Sequence, residues 1–224
     1  MTAQPNILYD QAAYGLPEAA VYLKVPYTTL RYWLTGFGKL TPIIEPVESG
    51  PIRLSFLNLL ECHALAGMRK IYNLKLPRVR SALRKISKDF PQPHPLIYEV
   101  FKTDRRDLFI ERMGKTINIS QPYDQMSLDF YRVHLERVET DPKGLFRFFP
   151  FVVEPRSSEP KIIEINPRIG FGKPVIAGTA ISTAIIASRF NARESISALA
   201  EEYGCTPQQI EEAIRWERAL PVAA

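Results

Sequence analysis

YGLPEAAVYLKVPYTTLRYWL, residues 14–34, decides the reading of this chain. Pro17 suits a first helical position and Glu18 the positive end of a helix, so a short helix is predicted over residues 17–23. Ala19, Ala20 and Leu23 form its apolar face. The pattern breaks at residues 24–26, and a second helix is predicted over residues 27–34, with Leu30 and Trp33 or Leu34 turned inward. Two short helices joined by a tight turn make a helix-turn-helix, whose second helix can enter the DNA major groove.

Working outward, the Gly/Pro-punctuated stretch 36–51 carries Ile43, Ile44 and Val47 and reads as a small β-hairpin or wing. Two longer helices follow. Phe56, Leu60, Ala64 and Met68 recur every four residues in the first, and Val79, Leu83, Ile86 and Phe90 form one stripe of the second. Arg78, Arg80, Arg84, Lys85 and Lys88 occupy its other faces, as a solvated charged surface or as a contact for phosphates or a partner.

Pro91, Pro93 and Pro95 make a stiff connector and set a domain boundary. Beyond it, residues 96–101, 108–112, 116–119, 130–138 and 145–153 read as strands of a small antiparallel sheet. From Lys161 the pattern changes again. A short strand at 162–165, a loop at 166–174 and the pair Val175–Ile176 precede three helices at 182–190, 193–203 and 207–219. Thr206, Pro207 and Gln209 spell a helix start, and Gly204 supplies the stop before it. The prediction is an α+β chain: a winged helix-turn-helix at 1–90, a β-rich middle at 91–160, and a three-helix bundle preceded by short strands at 161–224.

Charge follows this division. Residues 1–90 hold 12 Lys/Arg against 6 Asp/Glu, residues 91–160 hold 10 against 11, and residues 161–224 hold 7 against 7. The whole positive excess lies in the first unit, which suits a polyanion such as DNA. The candidate DNA contacts are Tyr27, Thr28, Thr29, Arg31 and Tyr32 on the second helix, with Lys39 and Arg53 flanking the wing. Hydroxyls and amides at a helix start reach phosphates, and arginine reads guanine bidentately. The competing reading keeps the same fold as a dimerisation or protein-binding module.

Other chemistry finds little support. Cys62 and Cys205 stand far apart, without the spacing of a zinc site or a disulfide framework. His63, His94 and His134 fall in different segments, with no nucleophile or carboxylate at helical spacing, and read as core or solvated residues. Glu201/Glu202 and Glu211/Glu212 read as solvated helix faces. Gly170, Gly172 and Lys173 lack the spacing of a phosphate-binding loop, and Pro174 takes the place of its helix-starting Ser/Thr. They read as a structured turn whose strand, residues 174–176, pairs within a dimer or against a partner. No metal, cofactor or catalysis is expected, nor a membrane span, and a cytoplasmic location follows by default.

The Tyr14-Gly15-Leu16-Pro17-Glu18-Ala19-Ala20 and Thr28-Thr29-Leu30-Arg31-Tyr32-Trp33 segments resemble the winged helix-turn-helix of MerR-type regulators, across residues 14–90. Lys24 stands where that turn usually has glycine, and Pro26 replaces the usual Ser/Thr cap. At the other end, Asn166-Pro167-Arg168-Ile169, Gly172-Lys173-Pro174-Val175-Ile176 and Gly178-Thr179 resemble a small antitoxin-like bacterial domain, across residues 162–219, with Ala180 replacing its usual arginine. The combination resembles VapB-type antitoxins. That resemblance implies a DNA-binding antitoxin that neutralises a PIN-like ribonuclease toxin and represses its own operon from a palindromic operator, as a homodimer or higher even oligomer. Asn166, Pro167, Ile169, Lys173, Pro174, Val175 and Ile176 are then the candidate dimer or partner contacts. The alternatives are a MerR-type regulator whose residues 91–160 bind a small effector, and an adaptor whose helical units only dock proteins.

Overall fold

The computed structural model describes residues 7–36, 38, 40–72, 80, 94, 96–97, 133–140, 146–152 and 159–219. The mixed α+β architecture is as the sequence predicts. After a helical turn, α1 (Ile7–Asp10), come β1 (Tyr14–Gly15), α2 (Leu16–Tyr22) and α3 (Tyr27–Thr35), the two helices of the predicted pair. Lys24, in the turn between them, adopts φ 53, the left-handed conformation that glycine takes at no steric cost. Leu30, Trp33 and Leu34 are buried, as their spacing implies. Gly36 closes α3 at φ 73, and a Cβ there would lie 1.9 Å from the Leu40 carbonyl oxygen.

The hairpin lies further along the chain than the sequence reading puts it. Its strands are β2 (Glu48–Ser49) and β3 (Ile52–Leu54), and β3 also pairs antiparallel with β1 through Tyr14↔Leu54 and Gly15↔Arg53. Residues 43 and 44 form no strand, because both their N–H groups donate to the Trp33 carbonyl and hold the segment against α3. Helix α4 (Phe56–Tyr72) opens with reciprocal caps: Ser55 Oγ accepts the Asn58 N–H, and Asn58 Oδ1 accepts the Ser55 N–H. Its predicted stripe, Phe56, Leu60, Ala64 and Met68, is fully buried. The second long helix, 79–90, lies outside the described residues apart from Arg80, which is helical and buried instead of solvated.

Most of the predicted middle sheet, including the expected strands 108–112 and 116–119, also lies outside them. What is described is one antiparallel pair, β4 (Val138–Thr140) with β5 (Phe146–Phe148). Residues 133–135 and 96–97 are helical where strands were predicted. The apparent alternation around His134 fails because His134 and Leu135 are both buried, at 3% and 0% exposure, which no half-buried strand allows. The buried Arg137 then staples the region, its guanidinium donating to the carbonyls of Phe149, Pro150, Glu159 and Pro160.

Phe148 exchanges backbone hydrogen bonds with Ile165, which carries the chain into β6 (Ile163–Glu164). β6 pairs antiparallel with β7 (Val175–Ile176) across the Gly170–Gly172 3-10 turn. The chain closes with α5 (Thr183–Asn191), α6 (Ile196–Tyr203) and α7 (Pro207–Arg218). The predicted start of α7 is a complete capping box between Thr206 and Gln209, and Gly204 ends α6 at φ 63. One hydrophobic core runs from Tyr9 through Trp33 and Phe148 to Trp216. No helix among the described residues is long and apolar enough to cross a membrane.

Candidate nucleic-acid interface

Helix α3 has two faces. Leu30, Trp33 and Leu34 face the core, whereas Tyr27, Thr28, Arg31 and Thr35 are exposed. Tyr27, Arg31 and Thr35 stand four residues apart, which lines them along one edge of the helix. Among the described residues the Arg31 side chain makes no hydrogen bond or ion pair, so its five N–H donors are available. Pro26 occupies the N-cap position and no side chain caps the helix start. The first amides of α3 therefore lack a side-chain acceptor, the condition in which a helix start can donate to a phosphate oxygen.

The other candidate contacts divide. Thr29 and Tyr32 are half-buried, and the Arg80 guanidinium lies 5.7 Å from the Tyr32 ring centroid. Arg80 also donates to the Thr41 carbonyl, which ties this cation to the base of α3. Arg53 is half-buried, sits opposite Glu48 in the hairpin and donates to the Ala13 carbonyl at 3.4 Å. The exposed hairpin tip thus carries an acidic neighbour beside its one arginine. Lys39 lies outside the described residues. The structure gathers Tyr27, Thr28 and Arg31 on one free surface and draws Tyr32 and Arg53 partly into local contacts.

Helix α2 is held from the far end of the chain. Glu18 accepts the Tyr22 hydroxyl at 2.7 Å and the Lys173 ammonium at 2.8 Å, and its second oxygen accepts the Gly15 N–H at 3.4 Å. The Tyr14 hydroxyl donates to the Gly172 carbonyl at 3.1 Å. Burial and the Glu18 charge push the pKa values of Tyr14 and Tyr22 far above the ordinary phenol value, so both hydroxyls remain donors. Tyr22 packs on Trp216 with centroids 5.4 Å apart, and the Lys24 ammonium lies 5.3 Å from the Trp216 ring centroid.

The candidate partner contacts are therefore largely internal. Val175 and Ile176 are 1% and 0% exposed, and Pro167 and Pro174 are buried. The strand expected to pair across a dimer or against a partner pairs with β6 of its own chain, because Ile163 and Glu164 complete the ladder. Asn166 is half-buried and bonded to Glu164 and to the Arg168 N–H, and Ile169 is half-buried. Lys173 keeps an exposed side chain, with Glu18 as its partner.

The histidines behave in a way their spacing does not reveal. His63 stacks on His134 with centroids 4.6 Å apart and donates from Nε2 to the His134 carbonyl at 2.7 Å. Burial lowers its pKa to about 4, outweighing the raising effect of that hydrogen bond, and the Arg137 charge adds to the fall. His94 bridges Glu61 at 2.9 Å and Asp10 at 3.1 Å. Burial pulls its pKa down, but Glu61 and Asp10 outweigh burial and hold it above the ordinary histidine value. Cys62 is wholly buried and its thiol is pushed well up, first by burial and then by Glu61, which leaves it unreactive. These partners lie 33 to 84 residues apart in the chain, beyond the reach of local periodicity.

Residues 163–216 match a family described as a protein of unknown function, DUF433. The chain is 24% identical over 233 residues to a Mycobacterium tuberculosis (strain ATCC 25618 / H37Rv) protein named "Putative antitoxin VapB45", covering 93% of this chain and 95% of that protein. It is also 25% identical to "Uncharacterized protein Rv2308" of the same strain, over 96% of this chain and 94% of that one. Among solved structures, that of Rv2018 from Mycobacterium tuberculosis superposes with a TM-score of 0.67 at 23% identity, covering 92% of this chain and 99% of the other. This last likeness extends the shared fold along nearly the full length.

Proposed function

We propose that this protein is the DNA-binding antitoxin of a toxin–antitoxin pair, acting by binding and not by catalysis. The observation that carries the reading is the similarity along 93% of the chain to a protein named as an antitoxin. The exposed face of α3 supports the DNA-binding half of it: a helix start without a side-chain cap next to Tyr27, Thr28 and Arg31, which is unpaired among the described residues, in the unit that holds the whole positive excess. In this reading the MerR-like head docks α3 in the major groove, and Lys39 and Arg53 reach the backbone beside it. The partner is a PIN-like ribonuclease toxin, and the DNA is the operator of the pair's own operon. Two heads on a two-fold dimer would read a palindrome with half-sites about one helical turn (~34 Å) apart, or a multiple of it.

Two measurements test the two halves separately. A gel shift with the DNA upstream of the chain's own gene should give a sequence-selective complex that weakens steeply as salt rises. Co-expression with the product of the neighbouring reading frame should relieve that product's toxicity and yield a stable complex. An unshifted DNA band would remove the repressor role, and a harmless or non-binding neighbour would remove the antitoxin role.

A further inference from the structure

Phe171 stands where its own chain gives it least. Phe171 is 96% exposed. Its backbone sits at φ 54, ψ 32 in the left-handed region, between Gly170 at φ 56 and Gly172 at φ 76. A non-glycine residue is strained there, and an exposed aromatic side chain returns no burial against that strain.

The loop that displays the ring is fixed from below. The Gly172 carbonyl accepts the Tyr14 hydroxyl, and a Cβ on Gly172 would lie 2.6 Å from the Tyr14 hydroxyl oxygen. A Cβ on Gly170 would meet Val175 at 3.3 Å. Lys173 is anchored on Glu18, and Asn166 holds the Arg168 N–H. Phe171 is thus presented on a rigid support, at a strained position, with no packing role. A rigid, solvent-facing aromatic suits an interface anchor, because little order remains to be imposed on binding.

The surroundings narrow the partner. Arg168, three residues before Phe171, is exposed, Lys173 two residues after it is already paired with Glu18, and residues 165–173 themselves include no Asp or Glu. We propose that Phe171 is the central anchor of a protein-docking surface that enters an apolar pocket rimmed by carboxylates on the toxin. The proposal rests on the antitoxin reading and deepens it by naming the docking loop. It also moves the partner contact from the buried 174–176 strand to the tip of the preceding turn.

The test uses the full chain co-expressed with the protein encoded by the adjacent reading frame, in wild-type form and as Phe171→Gly and Phe171→Asn. Both substitutions favour the left-handed conformation, so each variant should melt at the wild-type temperature or above it. Each should bind the toxin at least tenfold more weakly, as loss of an aromatic anchor does. Arg168→Glu should weaken binding as well. Wild-type binding with unchanged affinity in the Phe171 variants overturns this proposal and leaves the antitoxin reading standing. A wild-type chain that does not bind the neighbouring protein overturns both. Two further results would reassign Phe171 and overturn the proposal: loss of self-association, pointing to a second copy of this chain, or loss of operator affinity at full toxin binding, pointing to DNA.

Discussion

Arg31 reaches solvent from the middle of α3 with its guanidinium uncommitted among the described residues, while its helical neighbours Leu30 and Trp33 are buried. Replacing it with alanine removes charge and donors without opening a cavity. The expected result is a loss of operator affinity of ~1–3 kcal/mol if the side chain reads a base, with an unchanged melting temperature. Titration of labelled operator DNA measures the first, and thermal unfolding by circular dichroism the second. His63 makes a different prediction, because its folded pKa of about 4 lies below the ordinary histidine value of 6.5. The unfolded chain binds the extra proton first, so stability falls as pH drops from about 6.5 towards 4, by roughly 3 kcal/mol in all. His94 works in the opposite direction: its pKa is raised, so its contribution is complete below 6.5 and is lost as pH climbs through the folded value. Urea unfolding across this range should show an acid-side slope that persists in His94→Gln and an alkaline-side slope that disappears in it. An acid side as flat as the plateau would contradict the neutral, buried His63.

At the scale of the element, the helices were readable because their signals are local. Pro17 with Glu18, the Thr206–Gln209 box and the Gly204 stop each act within one turn; the box and the stop are found where the sequence puts them, and α2 begins one residue before Pro17. The hairpin was misplaced because its register depends on β1, which lies 37 residues before its partner β3 and contributes only Tyr14 and Gly15. Alternation around residue 134 misled for a related reason: His134 is buried by stacking on His63, a contact 71 residues away in the chain. The DNA-facing candidates were accessible to pattern reading only where helical spacing alone decides, at Tyr27, Thr28 and Arg31. Arg53 and Lys173 have neighbours that no spacing announces. Gly36 tests the element boundary directly, since a Cβ there meets the Leu40 backbone and the left-handed φ must also be kept. Gly36→Ala should lower stability by more than ~1 kcal/mol and weaken operator binding with it, because the end of α3 must move. Thr206→Ala, a cap loss in α7, should cost ~1 kcal/mol but leave operator affinity intact once the protein is folded. Comparable operator affinity for Gly36→Ala and wild type would show that the end of α3 does not position the recognition face.

Over the whole molecule, the division into units at residues 90 and 160 meets contacts that ignore it. The Tyr14 hydroxyl bonds Gly172, Lys173 bonds Glu18, and Tyr22 and Lys24 both lie against Trp216. The Tyr9 hydroxyl reaches the Phe146 carbonyl, and Phe148 pairs with Ile165. A head joined to the C-terminal bundle by buried aromatic packing and hydroxyl–carbonyl bonds should not unfold by itself. The protein supplies its own reporters, because Trp33 lies in the head and Trp216 in the bundle and both are fully buried. In Trp216→Phe the remaining fluorescence reports the head, and in Trp33→Phe it reports the bundle. Each variant's fluorescence transition in urea should coincide with its own circular-dichroism transition, as one cooperative unit requires. A head that melts well before the rest of its own chain would instead mean that the Tyr14, Glu18 and Trp216 contacts contribute little. If the transitions coincide, any ligand that favours the docked arrangement at the C-terminal bundle stabilises the N-terminal head as well. Operator binding and toxin binding would then be linked through α2, the helix that contacts both α3 and Trp216.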